Sequence, residues 1–119
     1  MCLITLLSLP GCDWSTPEAK KAKYRERAST YFDKGQYQEA VIEYRNVAQL
    51  DPQDAQIHYK LALTYLKLGG HQNVYQAFDE LTRTVALDKT NQDAQLKLGE
   101  LYLLGQDPGK ARERAEIVL

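Results

Sequence analysis

Cysteine is scarce in this chain: among 119 residues only Cys2 and Cys12 occur, both ahead of the first repeating segment. They cannot cross-link the repeats, and their spacing fits no zinc or redox motif. Neither sign of charge is in excess, with 15 Lys+Arg against 16 Asp+Glu. That balance removes the global field expected of a nucleic-acid binder or of a protein handling acidic substrates. No phosphate-binding glycine loop, nucleophile elbow or dinucleotide fingerprint is present. His58 and His71 stand too far apart in sequence to suggest a metal pair. Asp79 and Glu80 leave a helix on different sides, so they do not form a general acid/base pair. The expectation is a non-enzymatic protein with no cofactor, metal, nucleic acid or small-molecule substrate.

What the sequence does contain is a repeat. Ala28-Ser29-Thr30-Tyr31, Gly35, Tyr37, Ala40 and Leu50-Asp51-Pro52 return as Ala62-Leu63-Thr64-Tyr65, Gly69, Ala77 and Leu87-Asp88. An incomplete third copy runs Gly99-Glu100-Leu101-Tyr102, Gly105 and Ala111. Tyr31, Tyr65 and Tyr102 therefore stand 34 and 37 residues apart. A period of that size predicts stacked two-helix units, which build binding surfaces more often than catalytic ones. A hydrophobic content of 44% is enough for a folded core.

Local signals place the helices. Thr16 before Pro17 gives a cap followed by proline in the first turn, and Ser15 to Glu18 alternatively fits a capping box. Tyr24, Ala28 and Tyr31 then recur at helical spacing until Lys34-Gly35-Gln36. A second helix carries Tyr37, Ala40, Val41, Tyr44 and Val47 and stops at Asp51-Pro52. The next pair covers Asp54 to Leu68 and about Asn73 to Leu87, with His71 in a widened turn. A third begins near Asn91, turns at Leu104-Gly105-Gln106 and restarts at Asp107-Pro108. Because Ile117, Val118 and Leu119 end it without a closing signal, a piece of a longer superhelix is expected.

Over about Lys21 to Leu119 the chain resembles the tetratricopeptide repeat (TPR) family. The matches are Ala28, Tyr31, Gly35, Tyr37, Ala40, Tyr44 and Pro52 in repeat one. They continue with Leu61, Ala62, Tyr65, Gly69 and Ala77 in repeat two, and with Leu98, Gly99, Tyr102 and Ala111 in repeat three. His58 stands where the family favours a bulky aromatic, Lys89 replaces the closing proline, and about three extra residues fall between Gly69 and Val74. The resemblance implies an all-α fold: an α-solenoid of antiparallel helix pairs, about two and a half repeats, at 21–54, 55–91 and 92–119. The domain as a whole covers 18–119.

It also implies a concave groove lined by the first helix of each pair. The corresponding positions are Arg25, Ser29, Phe32 and Asp33; Tyr59, Leu63, Leu66 and Lys67; and Leu96, Glu100, Leu103 and Leu104. Family members that clamp a peptide carboxylate put Lys, Arg and Asn there, whereas this set is mainly apolar. A protein or peptide partner with an apolar face is expected, such as an amphipathic helix. The leucines otherwise serve as ordinary inter-repeat core. Tyr24, Tyr31, Tyr44, Tyr65 and Tyr102 are expected to be core.

The segment 1–12 is of another kind. Cys2 to Leu9 is an apolar run too short to cross a bilayer and of the length of a secretory signal. Leu9-Pro10-Gly11-Cys12 resembles the lipobox of bacterial lipoproteins, which implies a lipidated Cys12, a linker at 13–17 and a membrane anchor. Pro10 is unusual at its position, and no Lys or Arg precedes the run; an apolar tail with no targeting role is the other reading. Lys20, Lys21, Lys23, Arg25 and Arg27 are either a solvated helix face or a contact for anionic headgroups. The function implied is a membrane-anchored periplasmic scaffold in envelope assembly or export. The overall run of the sequence resembles the lipoproteins of exopolysaccharide or exosortase-linked export. The alternatives are a cytosolic adaptor or co-chaperone, or repeats supporting an activity beyond residue 119.

Overall fold

The computed structural model describes residues 16–105, which form five α-helices and, among the described residues, no strand. They are α1 (Pro17–Asp33), α2 (Tyr37–Leu50), α3 (Ala55–Leu68), α4 (His71–Leu87) and α5 (Gln92–Leu104). Each helix packs on the next, α1 on α2, α2 on α3, α3 on α4 and α4 on α5. This succession makes the described residues a TPR-like all-α solenoid. Cys12, the segment 1–12 and Ala111 lie outside the described residues, as do the expected restart at Asp107-Pro108 and the end of the third repeat.

The starts of α1, α3 and α5 are written in their caps. Thr16 caps α1, its hydroxyl accepting the Ala19 amide at 3.2 Å. The Asp54 carboxylate accepts the amides of Gln56 and Ile57, and Asn91 accepts that of Ala94. Each satisfies donors that the first turn cannot pair internally. Gly35 takes φ +74°, a left-handed conformation that costs glycine nothing, and ends the first turn so that α2 can reverse direction.

The two helices of each repeat cross at small residues. Ala28, Ala40, Ala62 and Ala77 are all fully buried, and Gly99 is buried at the matching place in α5. Without larger side chains at the crossing, two backbones approach closely and neighbouring side chains close around them. One core cluster joins Ala28, Ala40, Val41, Tyr44 and Val47 to Ile57, Leu61, Tyr65 and Ala77, with Tyr24, Tyr31 and Phe32 packed against it. A second joins Ala62 and Leu81 to Ala94 and Leu98, flanked by Tyr59, Phe78 and Tyr102. Phe32 meets Tyr37 edge-to-face at 5.3 Å, and Phe78 meets Tyr102 at 5.1 Å. Tyr44 and Tyr65 are buried, while Tyr24, Tyr31 and Tyr102 are half-buried.

One expectation is corrected. The extra residues of repeat two do not widen a turn. Only Gly69 and Gly70 separate α3 from α4, both at positive φ, and the Asn73 side-chain Nδ2 donates to the Gly69 carbonyl at 2.8 Å. The insertion instead lengthens the second helix, which has 17 residues in α4 against 14 in α2. His71 is accordingly the exposed first residue of α4. Two consecutive left-handed glycines reverse the chain in the least space, leaving the next residues free to propagate the helix backwards.

Candidate interaction site

Two surfaces follow from this stacking, one on the side of α1, α3 and α5 and one where α2 and α4 flank α3.

On the first side, side chains at the start of each repeat reach the next. The Lys21 ammonium meets Asp51 at 2.5 Å and Asp54 at 3.7 Å, and the Arg25 guanidinium donates to Asp54 at 2.5 Å. The hydrogen bond holds the Asp51 carboxyl below the usual carboxylate range and pushes Lys21 up from its ordinary value. One period later the Tyr59 hydroxyl donates to Asp93. Lys97 lies 3.9 Å from the same residue. Lys21, Arg25 and Lys97 are thus engaged by the protein's own carboxylates. Leu63 and Leu66 are half-buried, Leu66 packing on the first core cluster. Leu96 is 41% exposed, Leu103 60% and Leu104 76%. Ser29, Asp33, Lys67 and Glu100 are exposed. The expected groove positions therefore include a row of partly free leucines on α3 and α5, whereas Phe32 packs into the turn end of the first pair.

The second surface was not legible in the sequence. α2 and α4 both pack on α3, and a cleft of about 540 Å³ is lined by residues of all three helices. Its floor is a buried polar chain. His58 Nδ1 lies 2.6 Å from Glu80 Oε2, and His58 Nε2 lies 2.8 Å from the Pro52 carbonyl. Arg83 donates to Glu80 Oε1 at 3.0 Å. His58 and Glu80 are 4% and 6% exposed, which places this charge-bearing pair inside the protein. Both ring nitrogens thus face oxygen atoms. Burial pushes the Tyr65 hydroxyl in the same cleft up, with the Arg45 charge acting against it.

The periods of 34 and 37 explain where this chain came from. Tyr24, His58 and Gln95 occupy one position, and Gln95 Nε2 donates to the Lys89 carbonyl at 2.6 Å as His58 does to Pro52. The tether uses a backbone carbonyl, so Lys89 replaces the closing proline without loss of the contact. Glu43 and Glu80 are likewise equivalent. Glu43 Oε2 and Gln95 Oε1 are buried without a hydrogen-bond partner among the described residues, and Arg27 stands 4.0 Å from Glu43. Repeat two alone of these pairs a ring nitrogen with the carboxylate. The signal available in the sequence was His58 at an aromatic position and Glu80 three residues after the crossing Ala77.

Among the described residues no group of three His, Cys, Asp or Glu could hold a metal ion. No helix of these residues is long and apolar enough to cross a membrane.

Residues 28–69 match the family model described as TPR repeat. Over 110 residues the chain is 28% identical to the peptidyl-prolyl cis-trans isomerase FKBP4 of Bos taurus, covering 80% of this chain and 23% of the isomerase. It thus spans under a quarter of that relative. The MamA protein crystal structure superposes with a TM-score of 0.77 at 23% identity, over 85% of this chain and 54% of MamA. The second TPR domain of human RPAP3, in complex with the HSP70 peptide SGPTIEEVD, superposes with a TM-score of 0.74 at 23% identity. That match covers 87% of this chain and 84% of the RPAP3 domain. These structural likenesses carry the fold.

Proposed function

We propose that this chain is a non-enzymatic scaffold whose α1/α3/α5 side takes the apolar face of a helical segment of a partner protein. The observation that carries this reading is the row of partly free leucines beside cations that are already neutralised. A site for an acidic peptide terminus needs uncommitted Lys, Arg or Asn donors. Here Lys21 and Arg25 are held by Asp51 and Asp54. A fluorescein-labelled amphipathic peptide with leucines at helical spacing is expected to bind, and Leu63→Glu to weaken it about tenfold by placing a charge in the apolar contact. Unlabelled SGPTIEEVD is expected not to displace it. Tight binding of SGPTIEEVD instead supports the second reading, a cytosolic adaptor or co-chaperone, which the complex of the RPAP3 neighbour favours.

The proposed location is the periplasmic face of a bacterial membrane, in envelope assembly or export, through a lipidated Cys12. Its support is the lipobox-like Leu9-Pro10-Gly11-Cys12. Two acyl chains anchor stably where one does not. Labelled palmitate is expected in the wild type and absent from Cys12→Ser; an unlabelled wild type removes the anchor and leaves the adaptor.

A further inference from the structure

The geometry points to a second binding site, the cleft between α2 and α4, built to take a carboxylate from an acidic segment of a protein partner. This site is separate from the leucine row and does not depend on it.

Four features define the ligand. Arg45 lines the cleft and has no hydrogen-bond or ion-pair partner among the described residues, so its whole guanidinium fork is available. Arg83, whose side chain is 60% exposed, is bound to Glu80 through one terminal nitrogen at 3.0 Å, leaving its other N–H groups to donate. The side chains of Gln49 and Gln76 line the same walls and make no hydrogen bond among the described residues, offering carboxamide donors and acceptors. Beneath them, His58 and Glu80 are buried and fix Arg83 in place.

Guanidinium forks match carboxylates in a bidentate manner, and fixed donors lose little freedom on binding. The contrast with the opposite side is informative. There Lys21 and Arg25 already meet aspartates, while here Arg45 is left without one in a concave site of ligand-binding size. The Glu80 carboxylate in the floor sets the charge class. It is a poor neighbour for a doubly charged phosphate but is compensated for a singly charged carboxylate by Arg83 and Arg45. The amides of Gln49 and Gln76 suit the backbone of a peptide, which a nucleic acid lacks. Ala48 and Pro52 in the walls give apolar contact to a glutamate stem.

Fluorescence anisotropy of fluorescein-labelled oligoglutamate against the intact chain tests the site. Binding is expected, weakening as salt is raised. Arg45→Glu is expected to lower the affinity about tenfold or more by reversing the charge at the fork. Lys60→Glu, an equal change of charge on the exposed part of α3, is expected to weaken it far less. Because Arg45 and Lys60 are both exposed, neither substitution endangers folding. Absence of oligoglutamate binding overturns the proposal, as does an equal loss in Lys60→Glu. A single-stranded oligonucleotide of the same length binding as tightly also overturns it, and assigns the cleft to phosphate.

Discussion

Glu80→Ala is expected to lower the stability of this protein by about 3–5 kcal/mol, the cost of breaking a buried ionic contact from one side. The substitution leaves His58 Nδ1 and one Arg83 nitrogen without their hydrogen-bond partner. His58 cannot turn to solvent, because it is 4% exposed and its other nitrogen is held by Pro52. The loss is one of desolvation, so removing both polar partners together is far milder than removing one. Replacing them with apolar groups, His58→Phe with Glu80→Leu, is therefore expected to restore most of the stability. Urea unfolding of His58→Phe, Glu80→Leu and the double variant checks this as a thermodynamic cycle. Independent, additive losses contradict the buried pair.

Ala62→Leu is expected to cost about 1–3 kcal/mol through overpacking. Ala62 is fully buried and shares a cluster with Leu81, Ala94 and Leu98, the seam between repeats two and three. In a solenoid each repeat contacts only its neighbours, so the damage stays near that seam. Amide exchange in α5 is expected to rise while α1 and α2 keep their protection. A melting temperature equal to the wild type contradicts the register of α3.

Much of the fold was legible because the physics is local. Alanine or glycine at each crossing, glycine in the turns and Thr16, Asp54 and Asn91 at the helix starts each report a short-range constraint. The buried tyrosines follow from the same register. The lengthened α4 was misjudged for the opposite reason: three additional residues fit a loop or a helix equally well by spacing. What decides it is a pair of left-handed glycines, Gly69 and Gly70, seen only in the backbone.

The surfaces were less legible. Leu96 and Leu103 were expected in a groove from the family resemblance, and in the structure both are exposed. That Lys21 and Arg25 are committed to Asp51 and Asp54 depends on contacts across 29 residues and more, which no periodicity reveals. The His58–Glu80 pair spans 22 residues and two helices. Each partner has an ordinary explanation alone, one as a core position and the other as a charge on a helix. Only their meeting makes a polar floor out of two exceptions.

Amide chemical-shift mapping with the amphipathic peptide locates its contact on the protein. Perturbations are expected to concentrate on α3 and α5 around Leu63, Leu66, Leu96 and Leu103. Perturbations confined to α2 and α4, or none at saturating peptide, would contradict binding at the leucine row.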